Sequence, residues 1–171
     1  MVRRYFFALL MLVLIVPQGA MALDTVHVLV LPFTIHADQD LSYLRSDIPK
    51  VIAEHLQSEG AVPVEMPDSL KTEAAGMPAD VNAIRKMGLE AGADAVIWGS
   101  MTRIGNHISL DTSLLETVGD SPVKSVYEDG TGMESLRGVA KKTAENLARQ
   151  LFHRELVAQI RITGNRRIES D

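Results

Sequence analysis

Residues 92–100, which read GADAVIWGS, decide the fold predicted for this chain. Gly92 closes a helical pattern, and the apolar run from Ala93 to Ser100 has the length of a buried strand. Asp80, a residue type that caps helices, precedes the apolar positions of that helix, which are Val81, Ile84, Met87 and Ala91. The stretch therefore predicts a capped helix that leads directly into a strand of a sheet.

Similar units precede this stretch. Val26 to Phe33 (VHVLVLPF) predicts a buried strand, and Ala61 to Met66 a short strand placed at an edge by Pro63. Asp68 is in position to cap a short helix. A helix ending at Gly60 is predicted by apolar residues at helical spacing, which are Leu44, Ile48, Val51, Ile52 and Leu56. Strands that alternate with helices over short connections favour right-handed crossovers and a parallel sheet.

The pattern changes after residue 100. Apolar and polar residues alternate along one predicted strand, whose inward positions are Ile108, Leu110, Thr112 and Leu114. Val123 to Tyr127 forms its partner across a turn at residues 118–122. We expect these strands to pair antiparallel with Ala95 to Met101.

A long helix is predicted from Met133 to His153 because its apolar residues keep 3-4 spacing over five turns. They are Leu136, Val139, Ala140, Thr143, Ala144, Leu147, Ala148, Leu151 and Phe152. The fold class is thus α/β in the mixed α+β sense: three parallel-type βα units, an antiparallel hairpin and a long C-terminal helix. The helices are expected to pack on one mixed sheet.

Residues 1–22 have the features of a secretory signal peptide. Arg3 and Arg4 give a positive start, Tyr5 to Val16 is apolar, and the segment ends in small residues at Ala20-Met21-Ala22. The apolar run is shorter than the roughly 20 residues that a membrane-spanning helix needs. We expect cleavage after Ala22 and release into the periplasm; an uncleaved membrane anchor is the alternative.

Composition limits the chemistry of the 171 residues. The absence of cysteine excludes disulfides, thiolate catalysis and the lipid-bearing cysteine of a lipoprotein. A formal charge of −5 and 5% aromatic residues argue against nucleic acid as a partner, since phosphate backbones are repelled and base-stacking side chains are few.

Catalytic motifs are absent from the sequence. Gly130-Thr131-Gly132 is not followed by the residues of a phosphate loop, and the histidines lack zinc-site spacing. His36, Asp38 and Asp40 supply too few oxygens for a calcium site and are expected to form a solvated loop. We therefore predict that the protein is not an enzyme, and we assign it no catalytic, cofactor-binding or metal-binding residue and no cofactor. Trp98 is expected in the core.

The succession from Val28 to the long helix resembles the amino-terminal domain of TolB and related envelope modules. The strongest match is GADAVIWGS, and the resemblance covers roughly residues 24–155. It implies a mixed sheet with helices packed on one side and a role in periplasmic protein contacts.

The segment VAQIRITGNRRIESD, residues 157–171, looks like the start of a POTRA domain, the periplasmic repeat of BamA-family outer-membrane protein assembly factors. Ile160 and Ile162 alternate as in a strand, a Gly-Asn turn follows, and Ser170-Asp171 resembles a helix cap. Arg161, Arg166 and Arg167 form a small basic cluster there. The rest of the repeat and the membrane barrel are not in this sequence.

These features predict a signal peptide at 1–22, a TolB-like domain at 23–155 and the start of a truncated POTRA-like domain at 156–171. The expected function is that of a non-catalytic periplasmic interaction module of an outer-membrane protein assembly factor. Its partners would be envelope proteins, either assembly components or their substrates, with membrane association only through C-terminal regions absent here. A free-standing periplasmic accessory or regulatory protein is the alternative, and a ligand-binding module with a cleft at the strand ends is a third.

Overall fold

The computed structural model describes residues 25–75 and 80–152. Its strands are β1 (His27–Val30), β2 (Thr34–His36), β3 (Val62–Pro63), β4 (Ala95–Ile104), β5 (His107–Glu116) and β6 (Lys124–Thr131). Its α-helices are α1 (Leu44–Ser58), α2 (Asp68–Ala75), α3 (Val81–Ala91) and α4 (Leu136–Leu151), and a 3-10 turn at Met133–Ser135 precedes α4. None of the helices in the described ranges has the length and apolar character needed to cross a membrane.

The six strands form one mixed sheet, in the order β3-β1-β4-β5-β6, with β2 also paired to β4. β1 lies parallel to β3 and β4, with Val28 opposite Ala95. β5 is antiparallel to β4, with Val96 opposite Leu115, and β6 is antiparallel to β5. The predicted mixed α+β class is therefore confirmed. The second hairpin strand pairs with β5 and not with β4.

Helices lie on both faces of this sheet, which corrects the one-sided packing that the family resemblance implies. α1 and α4 enclose a core with Val28, Ala95 and Ile97, whereas α2 and α3 enclose a second core with Leu29 and Val96. Neighbouring residues of a strand face opposite sides. From β1 the chain moves one way to β3 and then back past β1 to β4. Right-handed crossovers in opposite directions place their helices on opposite faces.

The strand predicted at residues 26–33 is shortened to β1, and a further strand that was not predicted, β2, follows it. β1 ends at Val30 and β2 begins at Thr34, because Pro32 has no N–H for the ladder. A second proline fixes the break. Pro49 lies inside α1 and cannot bond the carbonyl of Arg45, which instead accepts the N–H of Phe33 at 3.0 Å. The carbonyl that Pro49 leaves free thus binds the segment between β1 and β2 to α1.

The predicted ends of α3 are confirmed. The Asp80 carboxylate accepts the N–H of Asn82 at 3.0 Å, and Gly92 ends the helix with a left-handed φ of 71°. Asp68 begins α2, as anticipated, while the strand expected at residues 61–66 shrinks to Val62–Pro63. β3 lies at the edge of the sheet, where a proline is tolerated.

The stretch GADAVIWGS joins several layers of the molecule. Asp94 accepts the backbone N–H of His27 at 2.8 Å and lies 3.2 Å from Nδ1 of its ring, which aligns the starts of β1 and β4. Gly99 lies where a Cβ would be 2.3 Å from the carbonyl oxygen of Asp111 and 2.9 Å from the Phe33 ring. The absence of a side chain at Gly99 therefore lets the buried Phe33 pack directly on β4.

The apolar stripe of α4 is confirmed. Its eight buried residues are Leu136, Val139, Ala140, Thr143, Ala144, Leu147, Ala148 and Leu151, all in the predicted set, while Phe152 is only partly buried. The first turn of the predicted helix is a 3-10 turn. The predicted signal peptide at 1–22 and the POTRA-like start at 156–171 lie outside the described residues.

Candidate functional site

The loop after β2 contains Asp38 and Asp40, which are expected in a solvated loop and not in a cation site. Asp40 accepts the backbone N–H of Ser42 at 3.0 Å, and hydrogen bonds from Ser42 hold the pKa of this carboxyl below its ordinary value. Asp40 thus stabilises the turn that leads into α1. Arg103 lies beside Asp38 in a shallow cavity and donates to the side-chain oxygen of Gln39 at 3.1 Å. A guanidinium in this position disfavours a bound cation.

Within residues 25–75 and 80–152, no three His, Cys, Asp or Glu side chains converge in a way that would hold a metal ion. Two histidines in these ranges lie close to a carboxylate, and each pair joins two strands. His27 pairs with Asp94 where β1 and β4 begin, and His107 of β5 lies 3.7 Å from Asp129 of β6.

Trp98 marks the border between the covered and the open part of one sheet face. Its side chain packs against the second core but is only partly buried, so the prediction of a core position holds in part. On the same face of β4, Val96 is fully buried while Ile104 is 74% exposed. The helices α2 and α3 therefore cover only the beginning of β4.

The cavity beside the end of β1 is too small for the ligand-binding alternative. It measures about 150 Å³ and is lined by aliphatic residues, with Lys50 as its one charged group. Ligand pockets are typically roughly 300–1,000 Å³ and contain several convergent polar groups. This cavity thus gives no support to a ligand module.

A larger groove of about 500 Å³ separates the first turns of α1 and α4. Aliphatic side chains form its floor, among them Ile48, Val51 and Leu136. Lys50 and Asp47 at its rim form an ion pair of 3.3 Å. The groove offers an apolar strip between two helices, and nothing in the structure shows what covers it.

The outer edge of β6 is open, since no strand within the described residues pairs with its far side. The direction in which each peptide group of β6 points follows from Gly132. Its N–H donates to the Asn106 carbonyl at 2.7 Å, one position beyond the paired residues of β5 and β6. Bonded pairs recur at every second residue of an antiparallel pair. Val126 and Glu128 therefore bond inward to β5, and the N–H and C=O groups of Tyr127 and Asp129 point away from the sheet.

The face of the sheet next to this edge is largely polar, and no helix in the described part of the chain covers it. Tyr127 lies opposite Asp111 in the register and is 59% exposed. The side chains that share this face of β4, β5 and β6 beyond Trp98 are Ser100, Thr102, Ile104, His107, Ser109, Asp111, Ser113, Ser125, Tyr127, Asp129 and Thr131. We call this surface the open face. Sequence reasoning missed it, although the alternation along residues 107–114 contains its polar half.

No protein-family model matches the chain, and no curated protein sequence does either. Solved structures do share its fold. TolB from Acinetobacter baumannii superposes with a TM-score of 0.51 at 12% identity, over 76% of this chain and 29% of that TolB chain. The chain therefore has the fold of part of TolB.

Two further structures are similar at lower scores. The lipoprotein GNA1162 from Neisseria meningitidis has a TM-score of 0.49 at 16% identity, over 77% of this chain and 99% of that one. The C-terminal domain of LpoB from Salmonella enterica has a TM-score of 0.46 at 16% identity, over 62% and 82% of the two chains.

Proposed function

We propose that this chain is a non-catalytic periplasmic domain that binds other proteins of the cell envelope. The observation that carries the proposal is the open outer edge of β6 beside an uncovered polar face. An exposed edge strand is a template for another extended chain. The fold shared with part of TolB and the resemblance of GADAVIWGS to TolB-like envelope modules support the same role.

The contacts of several polar side chains agree with a structural rather than a chemical use. Thr117 donates its hydroxyl to the Ala93 carbonyl at 2.7 Å, and Arg85 donates to the Glu116 carbonyl at 2.8 Å. Lys124 forms a 2.8 Å ion pair with Glu116 at the start of β6. These groups tie the end of β5 to its neighbours and hold the start of β6 in place.

In its finer form, the proposal places this domain in front of an outer-membrane protein assembly factor. Residues 1–22 would direct export, 23–155 would form the interaction domain, and 156–171 would begin a POTRA-like repeat. The support is the Ile160–Ile162 alternation followed by the Gly-Asn turn. The partners would then be assembly components or their outer-membrane substrates, and the protein would associate with the outer membrane through regions that follow.

Export is tested by expressing the full chain with a C-terminal tag, fractionating the cells and measuring the mass of the purified protein. We expect a periplasmic species that begins at Leu23 or within a residue or two of it. A protein that retains Met1 and stays in the cytoplasm would end the periplasmic proposal.

The assembly-factor form is tested separately by reading the gene beyond codon 171. The rest of a POTRA-like repeat should follow Asp171. A stop codon at that point would favour the alternative, a free-standing accessory or regulatory protein of envelope biogenesis, and would leave the interaction role itself intact.

A further inference from the structure

The open edge of β6 offers backbone and side-chain groups to the same partner. Every second residue of β6 has N–H and C=O groups that point away from β5 and a side chain on the open face. These residues are Ser125, Tyr127, Asp129 and Thr131. A strand added at this edge would form main-chain hydrogen bonds with these four residues. Its own side chains would alternate between the open face and the α4 side.

The segment that follows α4 is disfavoured as the added strand by handedness. β1 and β6 run in the same direction, and α1 and α4 lie on the same face of the sheet. From β1 through α1 the chain moves away from β4, to β3. A parallel strand placed outside β6 after α4 would require the chain to cross the same face in the opposite direction. That crossover would be left-handed. About 98% of such crossovers are right-handed, so one extended segment from another protein is the better occupant.

The charges beside the edge define the chemistry of that segment. Asp111 and Asp129 lie on the open face, and the described strands place no Lys or Arg there. On the other side of β6, the charge of Lys124 is already paired with Glu116. His107 also lies on this face, 3.7 Å from Asp129. Two exposed carboxylates with no Lys or Arg beside them on the described strands favour a partner strand with Lys or Arg at alternate positions, whose aliphatic stems can pack on the Tyr127 ring.

A second copy of this chain fits the edge less well. Two β6 strands joined in one continuous sheet, with their open faces on the same side, would place Asp111 and Asp129 of both copies on one surface, with no Lys or Arg of the described strands between them. Like charges gathered on one surface repel one another.

We propose that the β6 edge binds one extended basic segment of an envelope protein by strand addition, with Asp129 and Asp111 facing its basic side chains. This proposal rests on the proposed protein-interaction function and names the surface that performs it.

The test uses the full chain and an octapeptide of alternating lysine and valine, acetylated and amidated, with a glutamate–valine octapeptide as its counterpart. In an NMR titration we expect the lysine peptide to shift the amide signals of Tyr127 and Asp129 and to slow their hydrogen exchange. The glutamate peptide should do neither.

Two substitutions distinguish the contribution of backbone hydrogen bonds to peptide affinity from the contribution of charge. Tyr127→Pro removes an outward N–H without breaking the β5 ladder and should weaken peptide binding at least about tenfold. Asp129→Lys should weaken it about fivefold, the size expected for reversing an exposed charge pair. Asp38→Lys makes the same charge change in the exposed loop after β2, on the side of β4 away from β6, and should leave the affinity unchanged. If Tyr127→Pro fails to fold, Ser125→Pro gives the same test.

Three results would overturn the proposal: unchanged affinity in the folded proline variant, equal binding of the glutamate peptide, or protection of the Tyr127 amide that rises with protein concentration alone, which would indicate a second copy. Each of these results rejects strand addition at β6 and leaves the periplasmic location untouched, because fractionation and mass measurement test export independently. Cytoplasmic retention of the full chain would reject the proposed function, whatever the peptide does.

Discussion

The two faces of the sheet differ in how far their apolar character extends. Under α1 and α4, the side chains of Ala95, Ile97 and Met101 in β4 are fully buried. On the other face, Val96 is buried, Trp98 is partly buried, and the residues beyond them are polar or exposed. The core on the face under α1 and α4 therefore extends further along β4, to Met101, than the core on the other face.

Topology explains this difference. α2 and α3 follow the edge strand β3 and return the chain to β4, so they cover the sheet only near β1 and the start of β4. α4 returns on the face that α1 already occupies. The far part of the second face thus has no helix over it in the described structure, and its polar side chains agree with exposure to solvent.

The largest expected loss of stability comes from a substitution in the core between the sheet and α4. Leu147→Asp places a carboxylate at a position with 0% exposure in the core under α4. It should lower the free energy of unfolding by at least about 4 kcal/mol, enough to unfold a marginal domain. Chemical denaturation measures the loss. Lys142→Asp, on the exposed side of the same helix, is the control and should melt near the parent; a stable Leu147→Asp variant would show that the helix face is assigned incorrectly.

A smaller loss is expected where β4 meets Phe33. Gly99→Ala adds a Cβ that overlaps the Asp111 carbonyl and the Phe33 ring, so the strands must shift. We expect a loss of roughly 1–3 kcal/mol by the same measurement. Gly138→Ala in α4 is the matched control, since nothing lies within 4 Å of its added Cβ. It should stabilise the protein by roughly 0.5–1 kcal/mol, and equal effects of the two substitutions would contradict the packing of Phe33 on β4.

The core on the partly covered face depends on α3, and the N-cap residue of this helix tests that dependence. Asp80→Ala removes the acceptor for the Asn82 N–H and should cost about 1 kcal/mol. Asp80→Asn retains a capping oxygen and should stay within a few tenths of the parent. Thermal melts of both variants check this, and an equal loss in the two would mean that the charge, and not the cap, is what matters.

The smallest effect is expected on the open face. Asp111→Asn should change the free energy of unfolding by less than about 0.5 kcal/mol, because this exposed side chain contributes nothing to either core. Thr112→Asn, one residue along β5, enlarges a side chain with 2% exposure on the covered face and should cost more than about 2 kcal/mol. A similar loss at both positions would contradict the two-face description.

The sequence identifies the elements better than their arrangement. Local signals sufficed for the Asp80 cap, the Gly92 end and the alternation from Ile108 to Leu114, because each depends on a few neighbouring residues. The strand β2 was missed because it depends on distant segments: it pairs with β4, and Phe33 just before it bonds to α1 through the carbonyl that Pro49 leaves free.

The candidate site was beyond sequence reasoning for a related reason. That Tyr127 lies at an outer edge depends on the strand order, which results from pairings between distant segments. The direction of its N–H depends on the register set beside Gly132 and Asn106. The polar alternation along β5 predicts one exposed face but does not show whether a helix covers it.

The central claim is that β6 presents a free edge with every second peptide group available, and residue-resolved amide hydrogen exchange tests it directly. In the free protein, the amides of Val126 and Glu128 should be protected by their bonds to β5. Those of Tyr127 and Asp129 should exchange at nearly the rate of an unstructured peptide. Uniform protection along β6 in dilute protein would show that this edge is already occupied and would contradict the account.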